Sequence, residues 1–300
     1  MTGVQTCALP IFHPDDLDAI EEEIAPKLSA HQDAITLNPD LFARIKALHE
    51  KKDSLGLNSE DAWLLGKYYR DFVYAGAHLT QAQREELTKI NERLSFLETQ
   101  FSKNLLTDTN ESALIVDSAD ELTGLSESEI QAAADAANAR GLDGKYLLAM
   151  VNFTGNPLLE SLEVRSTREA IMRASLLRGN RDNEHDTKKI IVEMAKLRAT
   201  RAKLFGKKTH ADYIIAEQTA GSVDNVHAML RKIAPAAVRN AKAEGADIQA
   251  MIKDSGEDFE LASWDWDYYT EKVRKAKHNI DSSAMRPYFE LETVLKDGRS

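Results

Sequence analysis

The apolar positions of QAQREELTKINERLSFLETQFSKNLL fall at Leu87, Ile90, Leu94, Leu97, Phe101 and Leu105, in steps of three and four. That spacing gathers them on one side of a long helix. Thr80 followed by Gln83 gives it a capping-box start, and Ser126 with Glu129 repeats the device ahead of IQAAADAANAR, where Gly141 is a natural C-cap. Ile190, Ile191, Met194 and Leu197 form another stripe that stops at Gly206. Ser222 caps a further helix, with Val226, Met229, Leu230 and Ile233 at helical spacing and Pro235 placed to kink or break it. Strand signals are few. ALIVD (113–117) and YLLAMVNF (146–153) are short runs between polar or glycine-containing turns and predict a minor two-stranded element. Strands do not alternate with helices and no repeat period emerges, so the expected fold class is all-α, mostly helical. TGNPLLESLE, with Gly155 and Pro157, is where two helical blocks should part.

Residues 1–11 break the pattern. They carry no charge in a chain that is 29% charged, and they hold its one cysteine, Cys7. No basic n-region precedes the short apolar run, so a secretory signal is a poor reading. TGVQTCALPI instead resembles the translation of a sequencing adapter, and we expect 1–11 to be an adapter-derived addition. By the same reasoning the native chain should begin before Phe12, and Arg299-Ser300 would fit a second adapter junction.

Charge and composition narrow the function classes. A net charge of −11 disfavours general nucleic-acid binding, and no apolar run is long enough to span a membrane. The basic run KVRKAKH at 272–278 reads as a solvated helix face beside the acidic DWDYYTE. Without Cys7 there is no thiol for a disulfide or thiolate metal site.

The search for chemistry returns no site. His49-Glu50 is followed by Asp53 where a second zinc-binding histidine would stand, and RDNEH places Arg181 where the reversed motif needs a ligand. His13, His31, His78, His210, His227 and His278 are isolated. FGKKT lacks the earlier glycine of a phosphate loop, Arg201 standing there, so Gly206 reads as a helix cap. The sequons at Asn110 and Asn152 matter only in a glycosylating host. SWDWDYYTEK (263–272) alternates rings and acids as a sugar-stacking platform would, but a helix start capped by Ser263 or Asp265, its rings anchored in the core, is the preferred reading. No catalytic, cofactor-binding or metal-ligating residue is assigned.

A family resemblance adds what composition does not. Trp264-Asp265 followed by Tyr268-Tyr269, and then Arg286-Pro287-Tyr288-Phe289 and FELETVLKDG, resembles the bacterial peptidyl-dipeptidases of the thimet oligopeptidase and neurolysin family of zinc metallopeptidases. ALHEKKDSLGLNSED, FVYAGAHLTQAQREEL, ARGLDGKYLL and LFGKKTHADYIIAEQTA are similar to the same branch in the same order, so the resemblance runs from about Phe12 to Gly298. It implies a two-lobed helical ellipsoid with a deep central channel. It also implies a zinc held by a His-Glu-x-x-His helix and a later glutamate, with short unstructured peptides as substrates that lose C-terminal dipeptides. Those ligands lie downstream of the stretch matched here, so none transfers onto this chain, and the chain by itself is expected to be inactive. The implied organisation is an N-terminal helical domain over 12–161 and the opening of the catalytic domain over 162–300, with apolar surface exposed where partner helices are missing. The alternative is a non-catalytic helical scaffold or interaction protein. The expected compartment is the cytoplasm, with the periplasm left open because an export peptide would precede Phe12.

Overall fold

The computed structural model describes residues 15–150, 156–279 and 286–298. In chain order the elements are α1 (Asp15–Thr36), α2 (Pro39–Glu50), α3 (Ser59–Ala75), α4 (Gln81–Glu111), β1 (Leu114–Val116), α5 (Glu127–Asn138), β2 (Tyr146–Leu148), α6 (Arg165–Leu176), α7 (Lys188–Leu204), α8 (His210–Ile215), α9 (Val223–Asp254), α10 (Trp266–His278) and α11 (Leu291–Asp297). Short 3-10 turns connect several of them. The protein is mostly helical, as the periodicity predicts. The two strands pair antiparallel with Leu114 opposite Leu148 and Val116 opposite Tyr146. The last residues of the YLLAMVNF run lie outside the described residues.

The described residues divide into two compact units, one drawn from 15–105 and 186–230, the other from 106–150, 156–185, 231–279 and 286–298. The first holds α1 to α3, most of α4, α7, α8 and the opening turns of α9. Helix α4 starts as its capping box requires: the Thr80 amide donates to Gln83 Oε1 at 3.0 Å and the Gln83 amide to Thr80 Oγ1 at 3.4 Å. Its stripe then buries Ile90, Leu94 and Leu97 against Ile190 and Met194 of α7. Ile191, read into the same stripe, is half-exposed instead, because one helical step turns its side chain about 100° away from Ile190. Arg93 crosses to Glu193 with two hydrogen bonds of 2.6 and 2.9 Å that fix the pairing of α4 with α7. The α2–α3 hairpin is capped by Asn38 and Asn58 and packs Phe42 against Phe72. Gly76 ends α3 in the left-handed region at φ 108°, where a Cβ would stand 2.6 Å from Leu87 Cδ2.

The second unit has two apolar clusters. The larger joins Val116, Leu122, Ala133, Leu148, Leu159, Leu162 and Ile171, so it draws on both strands, α5, the turn at Pro157–Glu160 and α6. Ser126 and Glu129 form the capping box that starts α5, the Ser126 amide donating to Glu129 Oε2 at 2.9 Å. Gly124 sits at φ 98°, and a Cβ there would lie 2.0 Å from the Ser161 carbonyl oxygen, so this close approach of two loops demands glycine. The smaller cluster joins Ile248 and Ile252 of α9 to Tyr269 of α10.

Helix α9 keeps its expected cap and is not broken at Pro235, and it departs from expectation in its burial. The Asn225 amide donates to Ser222 Oγ at 3.2 Å, the expected cap, yet the helix runs unbroken through Pro235 to Asp254. The departure is burial. Every residue from His227 to Glu244 is exposed, including Met229, Leu230 and Ile233, which the spacing alone would place in a core. The two observations are connected, because the carbonyl that proline deprives of its partner faces water there and is hydrated at little cost.

Candidate functional site

The aromatic-acidic motif at 263–272 lies at the most heavily charged buried point of the second unit. Residues Ser263–Asp265 form a 3-10 turn that leads into α10. Asp265 occupies the N-cap position, but its side chain makes no cap bond to α10. It is fully buried and turned instead toward α6. Arg165 donates to it from Nε at 3.0 Å and Nη2 at 2.9 Å, and Arg168 donates from Nη2 at 2.9 Å. The Ala262 amide adds a fourth donor at 3.2 Å. Burial by itself would raise the carboxyl's pKa; the hydrogen bonds from Arg165, Arg168 and Ala262 outweigh it and hold Asp265 below the usual aspartate range.

Arg168 is 1% exposed and spends its remaining donors on carbonyls, Nη1 reaching Leu162 and Glu163 at 2.8 and 2.9 Å and Nε reaching Trp264 at 3.2 Å. Rings enclose both guanidiniums. Arg165 lies 4.0 Å from the Phe259 centroid and Arg168 4.3 Å from that of Tyr268. Tyr269 is buried and meets Tyr268 edge-on at 5.0 Å. Gln249 of α9 holds the preceding loop in place, donating to the Phe259 carbonyl at 2.9 Å and accepting from the Leu261 amide at 2.8 Å. The rings of the motif therefore line one buried guanidinium, that of Arg168, and one partly exposed, that of Arg165. Chemically the cluster is closed: a carboxylate saturated by four donors has no free lone pair aimed at a substrate, so it fastens α10 to α6.

A second buried carboxylate pins a loop. Asp108, near the end of α4, is inaccessible to solvent and accepts from the Gly179 amide at 2.7 Å and from Asn183 Nδ2 at 3.2 Å. Arg181 pairs with it at 3.4 Å, so the residue standing where a zinc ligand would be needed is committed to Asp108. Between them Asp182 takes φ 55°, a left-handed conformation that aspartate tolerates.

The histidines remain dispersed. His49 stacks on Tyr69 at 4.0 Å, a contact that occupies the imidazole of the only His-Glu pair. His78 tilts against Phe205, and His185 lies 3.7 Å from Glu111. Burial, with Arg201 and Arg198 nearby, lowers the pKa of His210 and favours its neutral form. His13 and Asn152 lie outside the described residues. Among the described residues no group of three or more His, Cys, Asp or Glu side chains could hold a metal, so they offer no donor set that fits the zinc implied by the resemblance. Gly206 is a helix terminator, at φ 66° with the following Lys207 amide returning to Ala202. Among the described residues no helix is long and apolar enough to cross a membrane.

Arg165, Arg168 and Asp108 did not stand out in the sequence. Arg165 and Arg168 share a helix face by their three-residue spacing, a signal that also describes any solvated basic face.

Residues 158–298, the stretch that carries the arginine–aspartate clamp, match Peptidase family M3. They belong to that peptidase family. Over 284 residues, 95% of this chain, it is 37% identical to the dipeptidyl carboxypeptidase of Escherichia coli (strain K12). It is 28% identical over 272 residues to the oligopeptidase A of the same organism and 28% identical over 288 residues to a probable cytosolic oligopeptidase A of Arabidopsis thaliana. The chain spans 42%, 40% and 41% of the lengths of these three relatives. Within this set the identity is higher to the dipeptidyl carboxypeptidase than to either oligopeptidase A, in line with the branch that FELETVLKDG resembles.

Proposed function

We propose that this chain is part of a zinc metallopeptidase that releases dipeptides from the C-termini of short unstructured peptides. The observation that carries the reading is 37% identity across 95% of the chain to a dipeptidyl carboxypeptidase, joined to a family M3 match over 158–298. In sequence it supplies an N-terminal helical part over 12–161 and, from about Leu162, the opening of the peptidase domain, with 1–11 an adapter-derived addition. Its own residues contribute scaffold: the α6–α10 clamp and the Asp108-anchored loop hold rigid helices that a catalytic half would build upon. Zinc and its ligands belong to the part of the family sequence that this chain does not match.

Two measurements test this. The purified 300-residue chain should contain no stoichiometric zinc and show no chelator-sensitive peptidase activity; either one, if found, overturns the assignment of catalysis to residues elsewhere. Sequencing the source DNA outward through both ends should replace TGVQTCALPI with native codons and reveal a His-Glu-x-x-His motif beyond Gly298. A genomic frame that stops after Ser300 would leave the helical scaffold reading in its place.

A further inference from the structure

The chain contains two Asp-Gly pairs, Asp143-Gly144 and Asp297-Gly298, and the structure holds them differently. In such a pair the glycine nitrogen stands one ring closure away from the aspartate carboxyl, with no glycine Cβ to shield it. Closure requires that the nitrogen be free and that the backbone between the two residues can turn.

Asp143-Gly144 lies at the tip of the link between α5 and β2. The link is tied on both sides. The Leu142 amide returns to the Ala137 carbonyl at 3.0 Å, and Lys145 Nζ pairs with Asp117 Oδ1 at 2.9 Å just before Tyr146 enters β2. Leu142 and Lys145 close a four-residue turn, the Lys145 amide donating to the Leu142 carbonyl at 3.2 Å. Gly144 takes φ 77° at its third position, where a type II turn calls for glycine. Asp143 and Gly144 are both exposed, and a Cβ on Gly144 would meet nothing within 4 Å. Among the described residues the Gly144 amide donates no hydrogen bond and the Asp143 carboxylate has no ion-pair partner. At Asp297-Gly298 the amide is engaged, donating to the Val294 carbonyl at 2.9 Å in the last turn of α11.

We propose that Asp143 is a site of spontaneous covalent modification, where the side chain condenses with the Gly144 amide and the main chain is rerouted through Cβ. The Gly144 nitrogen bonds to Asp143 Cγ while the carboxyl hydroxyl and the amide proton leave as one water, giving a five-membered cyclic imide. Water then opens the ring at one of its two carbonyls. Opening at Cγ restores aspartate. Opening at the main-chain carbonyl gives isoaspartate, with one more methylene in the backbone and a free α-carboxylate. Neither step draws on an oxidant, a reductant or a cofactor. Ring closure needs rotation about the Asp143 Cα–C bond, which the open space at Gly144 permits and the single hydrogen bond of the turn resists. The extra methylene falls just ahead of Tyr146, whose pairing with Val116 belongs to the register of the two strands.

The test ages the 300-residue chain in mildly acidic buffer at physiological temperature and maps its peptides. Isoaspartate is read by enzymatic methylation of its free α-carboxylate and by resistance to a protease that cleaves before aspartate. The imide is read by the loss of the mass of one water. Isoaspartate should accumulate at 143 roughly tenfold faster than at 297, because Gly298 must first give up its hydrogen bond. In urea sufficient to unfold the chain the two rates should converge. Asp143→Glu, which can close only a slower six-membered ring, should remove the signal at 143 and leave circular dichroism unchanged, since the position is exposed. Asp143→Asn should accelerate it, with ammonia leaving in place of water. Equal rates at the two pairs in the folded chain overturn the proposal, as does a chain that gains no isoaspartate at 143. A difference that persists in urea also overturns it, since the cause would then lie in the neighbouring residues and not in the turn.

Discussion

At the scale of single residues, Asp265 carries the largest identifiable stake. It is one carboxylate shared by two guanidiniums in a buried setting, so removing it leaves Arg168 charged and enclosed. Asp265→Ala should destabilise the fold by about 3–5 kcal/mol, measured by urea denaturation with circular dichroism. The pH dependence has a definite sign. The folded carboxyl titrates below its unfolded value near about 3.9, so its contribution is fully present above about pH 4. It is lost as the pH falls through the depressed folded value. The difference in stability between wild type and Asp265→Asn should therefore shrink on acidification through that window; a difference that stays constant would mean that the ion pair is not its source. Gly124 is the other sharp case. Its positive φ and the Ser161 carbonyl, 2.0 Å from where a Cβ would be, make Gly124→Ala destabilising by more than the roughly 1 kcal/mol of conformational strain alone. A thermal melt of the variant checks this, and an unchanged midpoint would contradict the close approach.

At the scale of elements, capping was the most legible feature. Thr80–Gln83 and Ser126–Glu129 are local pairs whose partners lie three residues apart, so their chemistry is complete in the sequence. Helix α9 shows where local information misleads. Its apolar spacing is as good as that of α4, but the α4 stripe meets α7 whereas residues 231–244 of α9 meet water. Periodicity says that a helix has an apolar face and cannot say whether a partner is present to cover it. The exposed helix also gives Pro235 a measurable role. Pro235→Ala restores an amide donor and a strong helix former, worth up to about 3 kcal/mol locally. Amide exchange should slow by tenfold or more on both sides of residue 235. Exchange left unchanged would show that helix opening is limited elsewhere.

For the molecule as a whole, the compact units do not follow the order of the chain. Leu159, Leu162 and Ile171 share one apolar cluster with Val116, Leu122 and Ala133, so that core straddles the sequence boundary near Leu162. The other unit needs Ile190 and Met194 to complete the α4 stripe. A chain of residues 12–161 therefore lacks Leu162 and Ile171 from one core and Ile190 and Met194 from the other, and it should melt without a cooperative transition. Sharp two-state unfolding of that piece would contradict the division of the cores. The zinc and peptidase assays of the 300-residue chain belong to this scale as well, since a metal site needs three ligands brought together and no such group forms among the described residues.

The sequence by itself determined the helical class, the minor strand pair, the caps and the kinship with peptidase family M3, because each depends on periodicity, on neighbours a few residues apart or on ordered motif matches. Only the tertiary structure decided which stripes are buried and what the SWDWDYY motif does. Arg165 and Arg168 lie about a hundred residues from Asp265 along the chain, and no local pattern records that these three charges will close into one cluster. The same holds for Asp108 and the loop at Gly179–Asn183. Burial of charge is settled by which helices meet, and that is a property of the packed molecule.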